Sequence, residues 1–131
     1  MILELISFGF SRNNLPEVNY LFDVRFLNNP FYVDKLRPLT GLDNEVIDFF
    51  ENDKLTTTFL KELSIWIEYI IELNERADKE KITVGIGCTG GQHRSPYIVE
   101  SLAKALAKKK SIDELSVYHK ELNKYNARVT P

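Results

Sequence analysis

Residues 82–96 read Ile82-Thr-Val-Gly-Ile86, then Gly87-Cys88-Thr89-Gly90-Gly91-Gln92-His93-Arg94-Ser95-Pro96. The first five residues are four β-branched side chains and a glycine, the composition of a buried strand. The glycine pair lets the backbone turn without Cβ clashes and approach a guest closely. Pro96 suits the first turn of a helix, where its missing N–H costs nothing. Ile98, Val99, Leu102, Ala103 and Leu106 then lay one apolar stripe along that helix. A strand, a glycine turn and a helix in this order belong to an α/β layered domain with a mainly parallel sheet, where ligands sit beyond the carboxyl ends of the strands.

The flanking sequence fits the same plan. Ile2 to Phe8 is an apolar run closed by Gly9 and the polar SRNN, and Tyr20 to Val24 is a second short apolar run; both predict strands. Pro30 and Pro38 bracket a loop or a single helical turn. Thr40 and Asp43 have the spacing of a capping box, with Thr40 as N-cap, ahead of a helix carrying Val46, Ile47, Phe49 and Phe50. From Lys54, three- and four-residue steps link Leu55, Phe59, Leu63, Trp66, Ile67, Ile70 and Ile71, which predicts a long amphipathic helix with this stripe in the core. Leu115 to Tyr118 reads as a last strand. The expected order is β-β-α-α-β-α-β in a single domain over residues 1–131, its sheet flanked by helices.

Composition excludes several classes. The 131 residues are 44% hydrophobic and 27% charged, with a formal net charge of −2, which argues against a globally electrostatic nucleic-acid binder. One cysteine excludes an internal disulfide framework and a cysteine-rich zinc module, and a lone thiol fits a reducing cytoplasm. No run reaches the roughly 18–20 apolar residues of a membrane span, and the N-terminal apolar run lacks the basic start of a signal peptide. Neither a cofactor nor a metal site is expected.

Two strand ends carry reactive side chains: Asp23 and Arg25 after the second strand, and Cys88 to Ser95 after the third. In the latter, successive N–H groups form an anion nest, the following helix adds the positive end of its dipole, and Arg94 can hold phosphate bidentately. The loop is no Walker A motif, because Gly-Lys-[Ser/Thr] is absent. Cys88 and Arg94 do have the Cys-x5-Arg spacing of cysteine-dependent phosphatases, with Asp23 as the candidate general acid. Each residue also has a plain structural role open to it. Cys88 can be an inert buried side chain, Gly90-Gly91 an ordinary turn, His93 a helix-start residue, and Asp23–Arg25 an ion pair. Thr40 and Asp43 can simply cap, and Lys108 to Lys110 can close a helix end.

SFGF near the start, FDVRFLNNPFYV, LRPLTGLD and IGCTGGQHRS resemble the C-terminal domain of the RapZ/YvcJ proteins, and the resemblance runs from Met1 to about Leu122. It implies an α/β fold related to a phosphofructokinase subdomain, sensing of glucosamine-6-phosphate and, in enterobacteria, binding of small regulatory RNAs as an adaptor for RNase E. Carried over by residue, the phosphate site spans Cys88, Thr89, Gly90, Gly91, Gln92, His93, Arg94 and Ser95. Asp23, Arg25 and Asn29 approach the same pocket, and Arg37, Thr40 and Gly41 line its rim. The family's N-terminal Walker-type domain has no counterpart here, so a stand-alone second domain is expected. The basic cluster of the RNA-binding members is thinned to His119, Lys120 and Lys124, with Arg128 beyond; this predicts weak RNA binding at most. The first expectation is therefore a cytoplasmic sensor of a phosphorylated metabolite, a phosphosugar. A Cys-dependent phosphatase or phosphotransferase is second and an RNA-binding adaptor third, with homo-oligomerisation left open.

Overall fold

The computed structural model describes residues 1–125. Four strands, β1 (Ile2–Gly9), β2 (Tyr20–Asp23), β3 (Lys81–Cys88) and β4 (Glu114–His119), form one sheet in the order β2-β3-β1-β4. Every pairing is parallel. Two helices, α1 (Asn44–Glu51) and α2 (Lys54–Arg76), connect β2 to β3, and α3 (Arg94–Leu106) connects β3 to β4, whereas β1 reaches β2 through residues 10–19 with one 3-10 turn. The two inner strands are buried along most of their length, as parallel strands covered on both faces must be, and so read as near-continuous apolar runs. The edge strands β2 and β4 instead alternate between covered and exposed residues. Leu3, Leu5, Ile82, Val84 and Ile86 meet Ile67 and Ile71 of α2 and Ile98, Leu102 and Leu106 of α3 in one core.

The register fixes where a site can form. Gly9 lies opposite Cys88, Asp23 opposite Gly87, and Ser7 opposite His119, so all four carboxyl ends emerge at one edge. The chain leaving β1 crosses β3 to reach β2, whereas the chain leaving β3 crosses β1 to reach β4. The two exits thus cross at this edge, packing Gly9 against Gly90 and Gly91, and leave the space for a site between the ends of β3 and β2.

Two sequence expectations need correction. Thr40 does not cap α1: the helix starts at Asn44 with Asp43 as N-cap. The Thr40 N–H donates to Asp43 Oδ2 at 2.7 Å and Thr40 Oγ1 accepts from the Leu42 N–H at 3.2 Å, so the pair closes a tight turn before the helix. Leu55 and Trp66 leave the core stripe of α2, at 47% and 52% exposure. At 3.6 residues per turn Trp66 points roughly 100° and Leu55 roughly 120° away from Ile67, and the sheet covers only the side holding Leu63, Ile67, Ile70 and Ile71.

Candidate functional site

The β3–α3 loop is glycine-rich because it is squeezed from two sides. A Cβ on Gly9, at the end of β1, would lie 2.6 Å from the Gly90 carbonyl carbon. Gly91 has φ +71, and a Cβ there would lie 2.6 Å from Glu121 Cγ; a left-handed residue against a neighbour this close has to be glycine. Glu121 is buried, and its Oε2 accepts from the Gly9 N–H at 3.3 Å. The loop thus rests on the end of β1, with the segment after β4 beneath it. It delivers the chain into α3, where His93 at the N-cap makes no side-chain cap and the Ser95 N–H donates to Cys88 Sγ at 3.5 Å.

The residues after the glycine pair hold the neighbouring loop in place. Gln92 Nε2 donates to the Arg37 and Leu39 carbonyls at 2.6 and 2.8 Å, and the Gly41 N–H donates to the Gln92 carbonyl at 2.9 Å. His93 Nε2 lies 2.9 Å from the Leu36 carbonyl, and burial pushes the imidazole below its ordinary pKa. The ring is therefore neutral and donates through Nε2. Arg94 is buried; Nη1 donates to the Arg25 and Leu27 carbonyls at 2.7 and 3.3 Å, and Nη2 to Thr89 Oγ1 at 3.3 Å. One guanidinium thereby joins the exit of β2 to the loop after β3 and still carries further N–H groups.

These ties enclose a cavity of about 450 Å³ lined by Asn29, Cys88, Thr89, Gly90, Gln92, His93 and Arg94, together with Arg12, Phe31 and Tyr32. The other predicted residues lie elsewhere. Ser95 is buried and turned inward, donating to the Phe8 carbonyl at 3.2 Å and lying 3.2 Å from Cys88 Sγ. Thr40 is buried in its turn. Gly41 borders a second cavity of about 420 Å³ that includes Tyr97 and Lys104. Arg37 is paired with Asp34 at 3.1 Å and lies 5.0 Å from the Phe31 ring centroid, a step behind the cavity wall.

Asp23 accepts a fork from Arg25, with Nε and Nη2 at 2.7–3.0 Å. That bond holds the Asp23 carboxyl below its ordinary pKa, so it is deprotonated near neutral pH and unsuited to be the general acid of a phosphatase. Arg25 stacks over the Phe10 ring at 4.1 Å, completing a structural cluster beside the cavity. Three lining residues were missed by sequence reasoning. Phe31 and Tyr32 are adjacent aromatics in a polar loop, and Arg12 follows β1 at the carboxyl edge; aromatic and basic residues outside any apolar period were the available signal.

Residues 1–123 match the model of the RapZ C-terminal domain. The chain belongs to the RapZ C-terminal domain family. It is similar to a nucleotide-binding protein of Lactobacillus acidophilus, 44% identical over 123 residues that make up 94% of this chain and 41% of that protein. A nucleotide-binding protein of Shewanella sp. (strain MR-7) is 40% identical over 94% of this chain and 43% of its own length. The chain therefore spans about two fifths of these curated relatives, and the match falls on the RapZ C-terminal domain alone. Among the described residues, no helix is long and apolar enough to cross a membrane.

Proposed function

We propose that the β3–α3 cavity of this regulatory binding domain holds the phosphate of a small phosphorylated metabolite, a phosphosugar such as glucosamine-6-phosphate. One observation carries the reading: Thr89, Gly90, Gln92, His93 and Arg94 line one cavity at the start of α3. Backbone N–H groups, a helix dipole and a buried guanidinium together favour a dianion over a neutral guest. The 450 Å³ volume is within the range of small-molecule sites, and Phe31 and Tyr32 supply a wall for the carbon skeleton.

Isothermal titration with sugar phosphates, inorganic phosphate and nucleotides tests the reading. A phosphosugar should bind, and Arg94→Ala should weaken it by about 1.5–3 kcal/mol, the scale of a hydrogen bond to a charged group. Equal affinity in the variant would refute the assignment. Steady hydrolysis of an aryl phosphate, abolished by Cys88→Ser, would replace it with the phosphatase reading, which the buried thiol and the ionised Asp23 disfavour. The adaptor reading gains little from the described surface. The Lys120 ammonium donates to the Asn14 carbonyl, Lys109 faces Glu72 at 3.8 Å, and Arg128 lies outside the described residues.

A further inference from the structure

The cavity of about 420 Å³ bordered by Gly41 has charged walls and lies outside the proposed phosphate site. Ile47 and Glu51, four residues apart, belong to one face of α1. Tyr97, Glu100 and Lys104, spaced by three and four, belong to one face of α3, and Leu42 closes the groove between the two helices. Several of these groups are fixed before any guest arrives. The Tyr97 ring stacks on Phe50 with centroids 4.6 Å apart. Burial raises its phenol above the ordinary pKa, and the hydroxyl pairs with the Ser101 side chain, so it is a neutral hydrogen-bonding group. Glu100 Oε2 lies 2.8 Å from His119 Nε2, and His119 Nδ1 lies 2.7 Å from Ser7 Oγ. That bond chiefly, with Lys104 as a lesser cause, holds the Glu100 carboxyl below its ordinary pKa, so it is ionised near neutral pH. Its other oxygen makes no hydrogen bond among the described residues. Nor does Glu51 or Lys104 form a salt bridge among them. A Cβ on Gly41 would lie 2.7 Å from the Tyr97 nitrogen, so this turn sits directly on the start of α3.

We propose that this groove is a second small-molecule site, and that its occupant is a free α-amino acid with a branched aliphatic side chain. The charges select the class. Two carboxylates, one on each helix, and one ammonium border the same space. The ligand ammonium meets Glu51 and the open oxygen of Glu100. Its carboxylate takes Lys104 and the Tyr97–Ser101 hydroxyl pair, and its side chain covers Leu42 and Ile47. A simple amine would be repelled by Lys104, and an anion by both glutamates. The first residue of a peptide has no free carboxylate for Lys104. A few polar groups set on an apolar wall are how small-ligand sites fix orientation, and the volume lies at the lower end of their range, roughly 300–1,000 Å³. The groove shares no lining residue with the phosphate cavity, so its occupancy does not depend on what that cavity holds.

Titration of the isotope-labelled full chain with L-leucine, followed by amide chemical shifts in two-dimensional NMR, reads both the affinity and the place of binding. Shifts should centre on Gly41, Leu42, Glu100 and Ser101, with a Kd on the order of 0.1–1 mM for a ligand of this size. Leucinamide lacks the carboxylate and isocaproate lacks the ammonium; each should bind about 10-fold more weakly than leucine. Lys104→Met should weaken leucine by about 10-fold and should not weaken leucinamide. Glu51→Gln should weaken leucine and should not weaken isocaproate. Both positions are exposed, so both variants should keep the fold, and the paired ligands separate a lost contact from a damaged structure. Excess inorganic phosphate should not displace leucine. Shifts confined to residues 89–94, no saturation by about 10 mM leucine, or a Lys104→Met loss shared equally by leucinamide would overturn the proposal.

Discussion

Replacing Gly91 by alanine isolates the contact between the anion loop and the segment that follows β4. The left-handed backbone at Gly91, φ +71, costs an L-residue roughly 1–2 kcal/mol. The added methyl would also lie 2.6 Å from Glu121 Cγ and 3.0 Å from the Gly9 nitrogen, so the Glu121 side chain has to move. That movement sacrifices the bond from the Gly9 N–H to Glu121 Oε2, and losing a bond to a charged group costs about 1.5–3 kcal/mol. Alanine recovers about 0.4–1 kcal/mol by restricting the unfolded chain. The net destabilisation should be about 2–4 kcal/mol. Urea denaturation, followed by circular dichroism, measures it in two backgrounds. In Glu121→Ala the obstructing Cγ and the bond to Gly9 are already gone, so the same glycine change should cost only the backbone strain less the unfolded-chain gain, about 0.5–1.5 kcal/mol. A coupling of about 1.5–3 kcal/mol between the two positions is expected. Equal costs in the two backgrounds would show that Glu121 is not what confines the loop.

Two pH effects follow from one buried and one half-buried ionisable group. Burial lowers the His93 pKa below the ordinary 6.5, so the unfolded chain takes up a proton first as pH falls. Stability should therefore drop below about pH 6.5, and His93→Gln should flatten that slope in urea titrations; an unchanged slope would refute the neutral-ring assignment. The Glu100 carboxyl is held below the ordinary 4.5 chiefly by its bond to His119 Nε2, 2.8 Å away, in a chain that continues from His119 Nδ1 to Ser7 Oγ at 2.7 Å. Its contribution is present above about pH 4.5 and lost as pH falls through the lowered value. Glu100→Gln should remove that acid-side loss, and thermal melts at pH 3–6 that superimpose with the wild type would count against the linkage.

The sequence by itself determined the layered α/β class, both inner strands and the glycine turn that joins β3 to α3. Those features are local: β-branched runs buried on both faces, a glycine pair, and a helix opening on Arg94-Ser-Pro96. The family was also legible, because long ordered motifs such as IGCTGGQHRS survive in one stretch. Tertiary structure alone decided which predicted residues share a cavity. Arg94 reaches carbonyls of residues 25 and 27 because parallel pairing sets Asp23 beside Gly87, a register no single segment encodes. Ser95, by contrast, turns inward to Cys88 and Phe8. Phe31, Tyr32 and Arg12 enter the site from loops without any period, so no pattern marked them. Trp66 obeys helical spacing as well as Ile67 does, yet it faces outward. Periodicity defines the stripes of a helix, and only the position of the sheet decides which stripe is buried. The same holds for Glu121, a charged residue near the chain end whose burial arises only once β4 lies beside β1.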